Sequence, residues 1–217
     1  TLPQGPDLAL AVNPESIKTP KFSRRSFTLE SLKWNKIKTI SAQLNITPTV
    51  MLLGLFSKVL ATWSNSSHFC INLTLFNRIQ AHEQVNELVG DFTKLNPLEV
   101  KASSNKSLEE LLKEVQTQLL DDLNHKEVGG VRILRELRSI GKESLMPVVF
   151  TSTLGHENVD TSWLGESVYS ISQTPQVWID NQVSEEKGQL VINWDCLDEL
   201  FEKDILDQMF LAYTSLK

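Results

Sequence analysis

No apolar run in the 217-residue sequence approaches the ~20 residues that a membrane-spanning helix needs. Residues 1–11 lack the basic-then-apolar order of a secretory signal. Cysteine is nearly absent: Cys70 and Cys196 stand far apart and fit no metal-ligand spacing. We read them as reduced, buried thiols of a cytosolic protein. Four Asn-x-Ser/Thr triplets, starting at Asn45, Asn65, Asn72 and Asn105, then read as chance. There is no phosphate-cradling glycine loop, no G-x-S-x-G elbow, no H-E-x-x-H, no internal repeat and no low-complexity tract. The four histidines (His68, His82, His125 and His156) are scattered, which fits surface or structural roles better than ligation. The net charge of −6, with both signs interspersed, argues against a nucleic-acid partner. Beginning at Thr1, the sequence reads as a processed or excised piece.

What is present is an alternation of helical and strand periods, and it predicts a layered α/β fold: a mixed sheet covered by helices. Pro3, Pro6, Pro14 and Pro20 mark residues 1–22 as an extended linker lying on a surface. Residues 23–29 fit a short strand. Leu32, Ile37, Ile40 and Leu44 recur at helical spacing. Thr47-Pro48 reads as an N-cap and first helical residue, opening a helix to Trp63 that is apolar on most faces and so buried. Strict alternation over residues 68–76 predicts a strand, with another near 94–100 and a short helix between them. Ser107 and Glu110 form a capping box for a helix to about residue 123; a further helix spans 131–140. The last third predicts strands at 146–153, 167–172, 175–183 and 189–195. The second-last and last should form a hairpin that projects from the lobe with Glu185, Glu186 and Lys187 at its tip. An amphipathic helix over 198–216 closes the chain.

Two segments carry unusual chemistry. Residues 147–153 form an apolar strand ending in Thr151, Ser152 and Thr153; either the strand frays into a turn whose hydroxyls bond local backbone, or the hydroxyls serve a site. In residues 173–182, a strand would place Gln176, Trp178, Asp180 and Gln182 on one face. That face suits an edge facing water or a polar pocket, and Asp180 is the best-placed carboxylate for proton transfer.

These stretches, in this order, resemble the heterocyclization variant of the condensation domain of nonribosomal peptide synthetases. The likeness runs through Leu2-Pro3, through Thr47-Pro48 with Trp63-Ser64, through residues 72–78 and 89–93, and most strongly through 146–152, 154–155, 171–178 and 193–195. The resemblance implies a chloramphenicol-acetyltransferase-like fold of two lobes with a tunnel between them. Residues 1–22 would be the inter-lobe linker and 23–217 the C-terminal lobe. The first lobe's motif of two aspartates separated by four residues is absent. Lys94, Asn181 and Ala9 stand where the family has serine, histidine and proline; the first two bear on substrate tuning.

The implied reaction joins an acyl thioester to carrier-bound cysteine, serine or threonine. It then cyclodehydrates the amide to a thiazoline or oxazoline, as in siderophore-type synthesis. Thr151 and Asp180 would be the catalytic residues, with Ser152, Gln176, Trp178, Gln182, Asn77 and Asp91 lining the tunnel or binding substrate. No cofactor is expected on the chain itself, the substrates riding on the 4'-phosphopantetheine of carrier proteins. The implied partners are the N-terminal lobe, upstream and downstream carrier proteins and an adenylation domain, with no membrane. The alternatives are a non-catalytic docking lobe and a plain amide-forming domain.

Overall fold

The computed structural model describes residues 2–76, 82–125, 129–139, 141, 145–155, 165, 169–172, 174 and 176–215. Six strands form one mixed sheet: β1 (Ser23–Leu29), β2 (His68–Phe76), β3 (Thr93–Lys101), β4 (Val148–Ser152), β5 (Ile179–Glu186) and β6 (Gln189–Cys196). Their order is β1-β6-β5-β4-β2-β3. β4 runs parallel to both neighbours, and every other pairing is antiparallel. The mixed sheet with helical cover is the expected architecture.

Five α-helices accompany it: α1 (Ser31–Gln43), α2 (Pro48–Trp63), α3 (Leu108–Asn124), α4 (Gly130–Ser139) and α5 (Ile205–Thr214). The predicted caps are in place. Thr47 accepts from Val50 N, ahead of Pro48 in the first turn. Ser107 and Glu110 make both halves of the capping box. α2 buries Val50, Leu52, Leu53, Phe56 and Leu60 completely, as its nearly all-apolar sequence requires. Its Phe56 lies 5.3 Å from Trp194 of β6, 5.6 Å from Tyr213 of α5 and 6.2 Å from Phe150 of β4, ring centre to ring centre. This cluster fixes which sheet face the helices cover, each such pair adding about 0.5–1.5 kcal/mol beyond its buried area.

The hairpin, one strand and the last helix depart from expectation. β5 and β6 lie in the middle of the sheet, and their pairing continues past Val183, where β4 ends at Ser152, so the hairpin tip extends beyond β4. Its two-residue turn has Lys187 and Gly188 at φ +50° and +77°, the left-handed geometry of a tight hairpin. Glu186 and Lys187 are exposed, but Glu185 folds back onto α1, accepting from Trp34 Nε1 at 2.7 Å and pairing with Lys38 Nζ at 3.3 Å. β5 begins at Ile179 rather than 175, which leaves Gln176 in a preceding turn. The strand expected at 167–172 is not formed by its described residues, 169–172; instead Ser172 N donates to Asp195 in β6. At the C-terminus, residues 198–200 form a 3₁₀ turn and α5 starts only at Ile205, after Asp204 at φ +68°. Asp198 is held sideways by Ser23 Oγ and Arg25 of β1, which keeps it from opening a continuous helix.

Residues 2–22 contain one short 3₁₀ turn capped by Asn13, and Leu8 is buried. Backbone bonds lay this segment on the sheet and helices: Cys70 N to Gln4 O, Gly5 N to Leu145 O, Asn65 N to Asp7 O and Ala11 N to Leu200 O. Cys70 and Cys196 are free and buried, as read from the sequence. Among the described residues no single helix is long and apolar enough to cross a membrane.

Candidate active site

In a strand, alternate residues face opposite ways, so pairing register shows what each face carries. Phe150, Trp194 and Ile192 point to the helices. The residues between them point the other way. Across the sheet the register aligns Arg24 with Asp195, Asp195 with Asp180, Asp180 with Val149 and Val149 with Asn72. One step along, Gln182 aligns with Thr151, and Thr151 with Thr74. The face away from the helices is therefore a band of carboxylates, amides, hydroxyls and one guanidinium.

Asp180 is the centre of this band. It is only 8% exposed. Its Oδ2 accepts from Gln182 Nε2 at 2.9 Å, while Oδ1 is buried without a partner among the described residues. Burial pushes its carboxyl above the ordinary aspartate value, and Asp195 adds to the rise. The nearby polar side chains of Gln182, Ser172 and Thr151 act in the opposite direction. Thr151, on the adjacent parallel strand, donates to Thr74 Oγ1 at 2.9 Å. The fold thus brings Thr151 and Asp180, 29 residues apart in sequence, to one face of neighbouring strands. Such a pair offers a carboxyl inclined to hold its proton beside a hydroxyl able to donate or accept.

The other residues singled out in the sequence divide. Gln182 joins Asp180 on the polar face. Ser152 points to the opposite face, where its Oγ lies 3.1 Å from Thr49 Oγ1 at the start of α2; there it lines a cavity of about 550 Å³ with Trp34, Leu73, Phe150 and Leu154. Trp178 is buried beside the start of β5, its N–H donating to Pro147 O at 2.7 Å. Gln176 is exposed. Asp91 is also exposed and accepts from Thr93 N at 2.8 Å, ahead of edge strand β3; the Thr93 hydroxyl first, and this N–H second, hold its carboxyl below the usual value. Two strands separate β3 from β5, a gap of about 14 Å at ordinary strand spacing. Asn77 lies outside the described residues. Asn181 faces the helices and is fully buried, so this departure from the family pattern does not lie on the Asp180 face.

Four residues of the band were not singled out as site residues: Arg24, Asp195, Asn72 and Thr74. Asp195 is fully buried and meets Arg24 in a two-pronged pair, Nε to Oδ1 at 2.7 Å and Nη2 to Oδ2 at 2.6 Å. Asn72 Nδ2 donates to Met146 O at 2.9 Å. The available signal was a charge inside an otherwise apolar alternating strand, at Asp195 between Trp194 and Cys196. Among the described residues no cluster of His, Cys, Asp and Glu could hold a metal ion.

Comparison with solved structures places this arrangement. The cyclization-docking bidomain of the EpoB nonribosomal peptide synthetase from Sorangium cellulosum superposes with a TM-score of 0.87 at 37% identity, over 98% of this chain and 44% of that one. The class is thus a lobe of chloramphenicol-acetyltransferase-like fold. The condensation-domain family matches residues 3–215, and the chain belongs to it. Curated relatives include bacitracin synthase 1 of Bacillus licheniformis, 37% identical over 99% of this chain and 4% of the relative. Pyochelin synthetase PchE of Pseudomonas aeruginosa is 34% identical over 99% of this chain and 15% of its own length. The phenyloxazoline synthase MbtB of Mycobacterium tuberculosis is 39% identical over 76% of this chain and 12% of its length. The chain therefore spans less than a sixth of these curated relatives and under half of the solved bidomain.

Proposed function

We propose that this chain is the C-terminal lobe of a heterocyclization domain, with residues 1–22 as the inter-lobe linker and 23–217 as the lobe. Joined to an N-terminal lobe, it condenses an acyl thioester with cysteine, serine or threonine held on the phosphopantetheine arm of a carrier protein. It then cyclodehydrates the amide to a thiazoline or oxazoline. The observation that carries this reading is Asp180: a buried carboxyl with a raised pKa and one oxygen unpartnered, beside Thr151 on the polar face of the sheet.

The chemistry follows from that placement. The side-chain thiol or hydroxyl adds to the amide carbonyl carbon and forms the ring bond, giving a tetrahedral centre that bears a hydroxyl. That hydroxyl leaves as water only if it receives a proton. A carboxyl inclined to stay protonated supplies it. The carbon–nitrogen double bond forms as nitrogen gives up its proton, and the Asp180 carboxylate just produced accepts it. The acid is regenerated and one water is lost. Thr151 orients the carboxyl or the tetrahedral centre through its single hydroxyl. The names of the relatives support the reading: one is a phenyloxazoline synthase and one a cyclization domain.

The test is product mass from the longer protein containing both lobes. Positioned proton transfer accelerates a step by roughly 10²–10⁴-fold, so Asp180→Asn should accumulate the uncyclized amide, heavier than product by one water. Thr151→Val should do the same more mildly. Normal cyclization by both variants, or equal loss of amide and ring, would overturn the assignment.

A further inference from the structure

The Arg24–Asp195 pair lies beside Asp180 on the sheet and has no part in the proton transfers. We propose that Arg24, on edge strand β1, is a positioning residue for Asp180, acting through Asp195 and Gln182 to aim one carboxyl oxygen at the substrate. The proposal rests on the reading of Asp180 as the cyclodehydration acid.

Hydrogen-bond capacity carries the argument. Arg24 has only donors. Its Nη2 lies 3.2 Å from Gln182 Oε1, so that amide end must be the oxygen. The amide nitrogen is then turned toward the carboxylates. It donates to Asp180 Oδ2 at 2.9 Å and to Asp195 Oδ2 at 3.1 Å. Both donors of Gln182 are thereby used within the sheet, which makes Gln182 a brace rather than a substrate contact. Asp195 has a full set of partners: two from Arg24, one from Gln182 and the N–H of Ser172. It is fully buried, and Arg24, whose side chain is 20% exposed, supplies the opposite charge beside it. The outcome is asymmetric. Asp180 Oδ2 is pinned by Gln182 and Oδ1 has no partner among the described residues, which is the arrangement an acid needs if one oxygen is to reach a leaving hydroxyl.

The arrangement also sets the local charge. The groups that face Asp180 are Asp195 from β6, Arg24 from β1, Thr151 from β4 and Gln182 from its own strand; Tyr169, in the segment before β5, acts on Arg24. Removing Arg24 would leave the Asp195 charge to act on Asp180 unopposed. Removing Gln182 would delete a hydrogen bond that favours the charged form. Both changes push the Asp180 carboxyl further up.

The test uses Arg24→Gln and Gln182→Leu in the longer two-lobe protein, with Asp180→Asn as reference. Both variants should raise the ratio of uncyclized to cyclized product about tenfold to a hundredfold, the usual cost of a misaimed group. In the 217-residue chain labelled with ¹³C at the aspartate carboxyl, the Asp180 titration should move to higher pH in both. An unchanged product ratio, or an unchanged titration, overturns the proposal. If Arg24→Gln fails to fold, Gln182→Leu decides; unfolding of both makes the network structural only and also overturns it. Normal cyclization by Asp180→Asn would sink the underlying reading instead, whereas a defect in Asp180→Asn alone would sink only the positioning role.

Discussion

Asp180 exacts a stability cost that its own replacement should reveal. Burial raises its folded pKa above the unfolded value. A group shifted this way contributes stability that is fully present below the unfolded pKa and is lost as pH rises through the folded one. At neutral pH the folded state therefore carries an unfavourable contribution from Asp180. Asp180→Asn should raise the melting temperature of the chain at pH 7, and the gain should fade as pH falls through the raised folded pKa and vanish at the ordinary aspartate value. Thermal melts across pH check this, and a gain independent of pH would refute it. Stability sacrificed at one site for activity is a common trade.

At the scale of elements, local signals in the sequence and close approaches in the fold do different things. α2 and α3 start where Thr47-Pro48 and Ser107-x-x-Glu110 say they should, because a cap is satisfied within three residues of itself. β2 was legible because its alternation is complete over nine residues. α5 was not legible, because Asp198 is drawn to Ser23 and Arg25, far away in sequence. The polar face was half legible: Asp180 and Gln182 stood out as a pair two residues apart. Arg24 and Asp195 did not, since 171 residues separate them and only strand pairing joins them. α4 supplies a prediction of this kind. A Cβ on Gly130 would lie 2.4 Å from the backbone oxygen of Leu95 on β3. Gly130→Ala gains roughly 1 kcal/mol of helix propensity, yet the rigid backbone contact should make it net destabilising by about 1–3 kcal/mol. Chemical denaturation measures the sign, and a stabilised variant would show that α4 does not need the approach.

For the molecule as a whole, one face of the sheet is packed by helices, and the other carries Asp180, Asp195, Gln182 and the hydroxyls. A face built of Asn72, Thr74, Thr151, Asp180, Gln182 and Asp195 is poor material for a hydrophobic core; it suits a wall of a reaction chamber whose second wall lies elsewhere. The purified 217-residue chain should accordingly give no cyclized product from carrier-bound substrates, measured by mass. Detectable turnover would mean that this lobe holds a complete site.

The sheet order has a consequence for how the chain is made. β1 is made before the other five strands, yet among the described residues its strand partner is β6, the last of them. Arg24 waits 171 residues for Asp195, or roughly 10–35 s at the usual 5–20 residues per second of synthesis. Until then β1 is an orphan edge with unpaired amides, open to pairing with another chain. The Arg24–Asp195 ion pair is thus among the last contacts of the sheet that can form. Slower translation, or a pause between the codons for β1 and β6, would lengthen the interval in which the nascent protein is vulnerable to misassembly.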